Sequence, residues 1–112
     1  MKKVEAIIEP FDVEEVKANL ERIGVRRMTV TEVQGFGRPS GRTEVYRGMR
    51  FEPPFAAEAK IEIVVLDEMA AAAIGAIREK AKVNDSGQGD IRVFSLEDTV
   101  RLAAAKKSAA AV

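Results

Sequence analysis

Residues 29–66 read TVTEVQGFGRPSGRTEVYRGMRFEPPFAAEAKIEIVVL. Both ends of this stretch have strand character. From about Arg27 to Gln34 the chain is rich in β-branched residues (Thr29, Val30, Thr31, Val33) that fit a pleated surface. From Ala59 to Leu66, Ile61, Ile63 and Val65 point one way and Lys60, Glu62 and Val64 the other, so one side is apolar throughout and the other mixed. Between the two, Gly35 to Phe55 holds Gly35, Gly37, Gly41 and Gly48 together with Pro39, Pro53 and Pro54, and shows no core periodicity. A compact domain seldom spends so many residues on a connection unless the loop has a function or is disordered.

The flanking sequence repeats the pattern on either side. Lys3 to Ile8 alternates, with Val4, Ala6 and Ile8 on one face and Lys3, Glu5 and Ile7 on the other. Asp12 and Glu15 have the spacing of a capping box, Val13, Val16, Leu20 and Ile23 follow at helical intervals, and Gly24 suits a left-handed stop. Downstream, Asp67 is the expected cap of a second helix, MAAAAIGAIREKAK, whose stripe of Ala70, Ala73, Ile74, Ile77 and Ala81 would let it lie close to a sheet. A glycine-bearing turn, NDSGQGD, precedes a fourth strand from Ile91 to Leu96. Thr99 to Leu102 is expected as a short edge segment, and the tail AAAKKSAAAV as helical or frayed.

The order β-α-β, loop, β-α-β is that of an α+β, ferredoxin-like βαββαβ sandwich. The expected division is one domain over residues 1–102, with the long loop at about 37–55, and a low-complexity tail over 103–112. Both helices would cover one sheet face. Lys3, Ile7, Thr29, Val64 and Phe94 would line the other, and stacking it against further subunits would take its apolar part out of water and leave clefts between chains.

Composition narrows the function. Lys and Arg number 18, as do Asp and Glu, so no net field draws the chain to nucleic acid or to an anionic membrane. The absence of Cys and His removes thiolate chemistry, the commonest metal ligand and the commonest general base, which argues against catalysis and against a metal site. The start, MKKVEAIIEP, has an apolar run broken by Glu5 and Glu9, neither a signal peptide nor a span, so the expected compartment is the cytoplasm, without membrane insertion.

The stretch TVTEVQGFGRPSGRTEVYRGMRFE, with KKVEAIIEPF near the start and AKIEIVV at 59–65, resembles the PII family of nitrogen-signalling proteins. The resemblance implies a homotrimer that binds adenine nucleotide in its inter-subunit clefts and regulates a transporter or metabolic enzyme through a mobile T-loop. It assigns the nucleotide cleft to Ile7, Thr29, Gly35, Gly37, Arg38, Glu62, Val64, Gly87, Gly89 and Arg101. Glycines admit backbone N–H groups to phosphates, branched apolar side chains clasp an adenine, and arginines make charge-assisted contacts. By residue type alone these glycines end a strand or form a turn and Arg101 is a surface charge; the ligand role comes from the resemblance.

Several positions depart from the family pattern. The turn that usually reads TGxxGDGK is VNDSGQGD, placing Asp85 and Asp90 where cations face phosphate, and Ala103 replaces a further arginine. ADP or AMP thus becomes as eligible a ligand as ATP. Pro39 and Glu58 stand where keto-acid sensors carry Gln and Lys, which argues against magnesium-assisted 2-oxoglutarate binding, because Glu58 repels the dianion. Phe51 and Met49 replace the residues that relatives nucleotidylate or phosphorylate. The loop keeps Arg42, Glu44, Tyr46, Arg47, Met49, Arg50 and Phe51 as candidate partner contacts, since arginines and aromatics dominate protein interfaces. The alternative is a trimeric adaptor of the same fold that works without nucleotide. A metal-tolerance protein of similar fold is disfavoured by the missing Cys and His.

Overall fold

The computed structural model describes residues 1–36, 44–46, 49–51, 55–81, 90–102 and 106–107. In chain order the elements are β1 (Lys2–Ile8), α1 (Val13–Arg22), β2 (Thr29–Gly35), β3 (Glu44–Tyr46), β4 (Met49–Phe51), β5 (Ala56–Val65), α2 (Ala70–Lys80), β6 (Ile91–Ser95), β7 (Val100–Arg101) and β8 (Lys106–Lys107). A single 3-10 turn leads into each helix, at Pro10–Asp12 and Asp67–Met69.

Four strands form the main sheet in the order β2-β5-β1-β6, and every neighbouring pair is antiparallel. β1 and β2 therefore run the same way without touching, as do β5 and β6, and each such pair is joined through a helix. This α+β arrangement is compatible with a ferredoxin-like fold.

The alternation read in the sequence decides which face is covered. Val4, Ala6 and Ile8 of β1 and Ala59, Ile61, Ile63 and Val65 of β5 are buried beneath Val16 and Leu20 of α1 and Ala73, Ala76 and Ile77 of α2. Burying side chains the size of Leu20, Ile61 or Ile77 stabilises the fold by about 1.5–3 kcal/mol each. The small residues of α2 act as expected: Ala70, Ile74 and Ala81 pack at the core margin, and Ala76 joins Ala73 and Ile77 inside it. The two helices are also pinned to each other. Buried Asn19 donates to the Ala76 carbonyl at 2.9 Å and to Glu79 Oε2 at 3.3 Å, and accepts from Arg22 Nη1 at 2.9 Å, so its amide is hydrogen-bonded away from water.

The end of α1 follows its sequence signal. Gly24 has φ +96°, its N–H donates to the Glu21 carbonyl, and the Val25 N–H donates to that of Leu20, a Schellman closure. The starts of the helices do not. Asp12 was expected to cap α1 in a capping box, but it is the last residue of a 3-10 turn with helical backbone angles (φ −86°, ψ −11°), and its side chain makes no cap hydrogen bond. A cap requires an extended residue whose side chain folds back over the first amides. Asp67 likewise opens a 3-10 turn; the α-helix begins after Met69, and the Asp67 carboxylate instead meets the Met1 ammonium at 2.8 Å.

Three further boundaries differ from the sequence reading. The strand expected from Ala59 begins at Ala56, because Ala56, Ala57 and Glu58 pair with Gly35, Gln34 and Val33. Inside the stretch taken as a loop, β3 and β4 pair as Glu44 with Phe51, Val45 with Arg50 and Tyr46 with Met49. The segment expected at the sheet edge near Thr99 instead forms β7, which pairs with β8 in a separate ribbon, so Lys106–Lys107 is extended where the tail was expected to be helical or frayed. Among the described residues, no helix is long and apolar enough to cross a membrane.

Candidate functional site

The sheet face turned away from the helices carries Lys3, Glu5 and Ile7 from β1, Glu58, Lys60, Glu62 and Val64 from β5, Thr29, Thr31 and Val33 from β2, and Arg92 and Phe94 from β6. Register assembles them: Ile7 stands opposite Lys60, Lys3 opposite both Val64 and Phe94, Thr29 opposite Glu62, and Glu5 between Glu62 and Arg92. Lys3, Ile7, Thr29, Val64 and Phe94 thus share the second face, as the alternation required.

Placing Glu5 directly across from Glu62 sets like charges against each other, which costs stability in an antiparallel ladder. Lys3 relieves it. Its Nζ lies 3.5 Å from Glu5 Oε2 and 3.5 Å from Glu62 Oε2, bridging the two carboxylates, and sits 4.7 Å from the centre of the Phe94 ring. Lys60 reaches Glu62 Oε1 at 3.7 Å, and Arg92 Nη1 reaches Glu5 Oε1 at 3.8 Å. The Glu5 side chain is 12% exposed and that of Glu62 26%, low values for charged groups on a face turned away from both helices. Partly exposed pairs contribute about 0.2–1 kcal/mol apiece.

Four residues assigned to a nucleotide cleft, Ile7, Thr29, Glu62 and Val64, lie on this face. Gly35 ends β2 opposite Ala56, and the Glu58 carboxylate lies close against it, with Oε1 3.0 Å from the point where a Cβ would stand. The Ile7 N–H donates to the Asp90 carbonyl at 3.4 Å, which brings an acidic residue to the end of β1 beside Ile7. Arg101 is on β7, opposite Lys106 in the two-stranded β7–β8 ribbon. Gly37, Arg38, Gly87 and Gly89 fall outside the described residues, as do Arg42 and Arg47 of the expected partner surface. Glu44, Tyr46, Met49, Arg50 and Phe51 belong to the β3–β4 ribbon. Among the described residues, no group of three or more Asp or Glu is placed to hold a metal ion.

Two features escaped the sequence reading. The ion-pair net of Lys3, Glu5, Lys60 and Arg92 follows from cross-strand register, which periodicity within a strand does not supply. The pair of Phe36 and Phe55, with ring centroids 5.6 Å apart, flanks the long connection just beyond the last rung of β2 and β5. Its signal was available in outline, as one aromatic at each end of the glycine- and proline-rich stretch.

Comparison with known proteins gives a consistent result. The family described as Nitrogen regulatory protein P-II matches residues 1–106. The protein named Nitrogen regulatory protein P-II from Rhizobium meliloti is 46% identical over 102 residues, 91% of each chain. Those of the same name from Rhodospirillum rubrum and Azospirillum brasilense are 42% and 43% identical over 112 residues, the full length of both chains in each case.

Proposed function

The chain belongs to the nitrogen regulatory protein P-II family, which is regulatory and not enzymatic, and we propose that it is a cytoplasmic PII-type signal-transduction regulator. In this reading three copies stack their open sheet faces, an adenine nucleotide binds in the clefts between them, and its occupancy selects the conformation in which the segment between β2 and β5 engages a transporter or metabolic enzyme in nitrogen or carbon metabolism.

One observation carries the reading: Ile7, Thr29, Glu62 and Val64, separated by up to 57 positions in the chain, share the face that the helices leave bare. Ile7 and Val64 offer branched apolar walls to a flat base, and Thr29 and Glu62 offer a hydroxyl and a carboxylate to its polar edge. The face is also suited to a second copy of itself, since Lys3, Lys60 and Arg92 balance Glu5, Glu58 and Glu62 around the apolar Ile7, Val64 and Phe94. Arg101 and the turn glycines would serve the phosphates.

Glu58 argues against 2-oxoglutarate as the signal, because its carboxylate lies on Gly35 at the foot of the long segment, where a dianion would meet repulsion. Asp90 beside Ile7 favours a second reading, a trimeric adaptor that needs no nucleotide.

Sedimentation velocity at micromolar chain concentration should return a trimer. ATP, ADP and AMP, tested separately in thermal unfolding, should raise the melting temperature, since a native-state ligand at 100 times its Kd stabilises by about 2.7 kcal/mol. A trimer that no nucleotide stabilises would select the adaptor; a well-folded monomer would defeat both readings. Micromolar 2-oxoglutarate binding in calorimetry with ATP and magnesium would overturn the exclusion of that ligand.

A further inference from the structure

The ladder between β2 and β5 ends with Gly35 opposite Ala56, and the next residue on each strand is a phenylalanine. Phe36 and Phe55 meet edge to face, with planes at 88° and centroids 5.6 Å apart, so the positive rim of one ring meets the negative face of the other. Core burial does not explain them, because Phe36 is 76% exposed and Phe55 50%.

The two rungs directly beneath the rings bring little apolar side chain together: they pair Gly35 with Ala56 and Gln34 with Ala57. Gly35 has no side chain, and the Glu58 carboxylate lies close against it. A ladder ending in such residues at the mouth of a long connection frays readily, because the chain beyond gains conformational entropy with each rung lost.

We propose that Phe36 and Phe55 are positioning residues: their contact pins the last rungs of β2 and β5 and fixes the two points from which residues 37–54 leave the sheet. Resting on the nucleotide reading above, the same joint couples ligand occupancy at Gly35 to the connection, since Phe36 is the next residue along β2.

Hydrogen exchange on the full chain tests this with Phe36→Ala, Phe55→Ala, the double variant and Phe55→Tyr, which keeps a ring. Peptides covering residues 33–36 and 55–58 should exchange about 2- to 12-fold faster in either alanine variant, the range an aromatic pair supplies. The double variant should add nothing further, and Phe55→Tyr should match the parent. Peptides from β1 and α1 should be unchanged in all four, which reports an intact fold. Unchanged exchange at the ladder end, or independent effects that multiply in the double variant, would overturn the joint.

A second arm adds 1 mM ATP or ADP. The parent should gain protection both in β1 and β5 and in the peptide spanning 37–54, whereas Phe55→Ala should keep the first and lose the second; equal protection in both proteins would overturn the coupling. If nucleotide protects no peptide of the parent, the nucleotide reading falls and the coupling with it, while the joint is decided by the first arm.

Discussion

Ile63 and Val64 are neighbours on β5, yet they belong to different environments. Ile63 points under the helices and is 2% exposed, whereas Val64 stands on the bare face opposite Lys3. The whole sheet divides in the same way. On the central strands β1 and β5 the covered side is aliphatic and buried, while Val30 and Val93 on the edge strands remain 44% and 45% exposed; the open side mixes Ile7, Val64 and Phe94 with a net of ion pairs. A face committed to the core needs only volume and hydrophobicity. A face turned away from the helices must be compatible with water, and under the proposed trimer specific as well; bridged charges serve both.

The strongest way to test that division is to cut the same strand on each side. Ile63→Ala should cost about 2–5 kcal/mol in urea unfolding, the usual range for a buried aliphatic truncated to alanine. Val64→Ala should cost about 1 kcal/mol at low concentration, because part of the side chain is already in water. If the open face is covered by other copies, the gap between the two variants should narrow as chain concentration rises, because assembly is linked to folding. A gap independent of concentration would mean that Val64 stays solvated.

Gly24→Ala acts on the covered side alone. It places a side chain in the left-handed region where α1 stops, and about 1–2 kcal/mol should be lost. Gly35→Ala, at the edge of the open side, should cost less, since the atoms in its way belong to the end of the flexible Glu58 side chain. Thermal unfolding of the two variants side by side gives the order.

Glu5→Lys sharpens the comparison from the other direction. It removes the acceptor of Lys3 and Arg92, so folding stability should change by about 1 kcal/mol or less. If the open face is the contact between copies, self-association measured by sedimentation should weaken at least about tenfold, as expected when a charge at an interface loses its partner. Equal association of the variant and the parent would make the ion-pair net irrelevant to assembly.

The smallest effect is expected at Asp67, away from both faces. The hydrogen bond and charge of the Met1 ammonium hold its carboxyl below the ordinary value of 3.8. A carboxyl with a depressed folded pKa adds stability above its unfolded value and loses it as pH falls through the folded one. Melting temperatures of the parent and of Asp67→Asn should therefore differ slightly at neutral pH and converge in acid below 3.8. A constant difference across that range would show that the ammonium contact does not stabilise the fold.

Properties that depend on neighbours along the chain were legible in the sequence. The alternation of Val4, Ala6 and Ile8, the helical spacing of Val16 and Leu20 and the stop at Gly24 each follow from one residue and those within a turn of it, because strand and helix periods are local geometry. Even locally the reading had a limit: Asp12 and Asp67 looked like caps, but a 3-10 turn gave their backbones another conformation. What tertiary structure alone decided is which residues meet across strands. Lys3 reaches Glu62, and Phe36 reaches Phe55, only because β5 pairs with β1 and β2 in a particular register. That register is set by packing the apolar side of the sheet beneath both helices at once, a condition on the whole chain that no short window of residues contains.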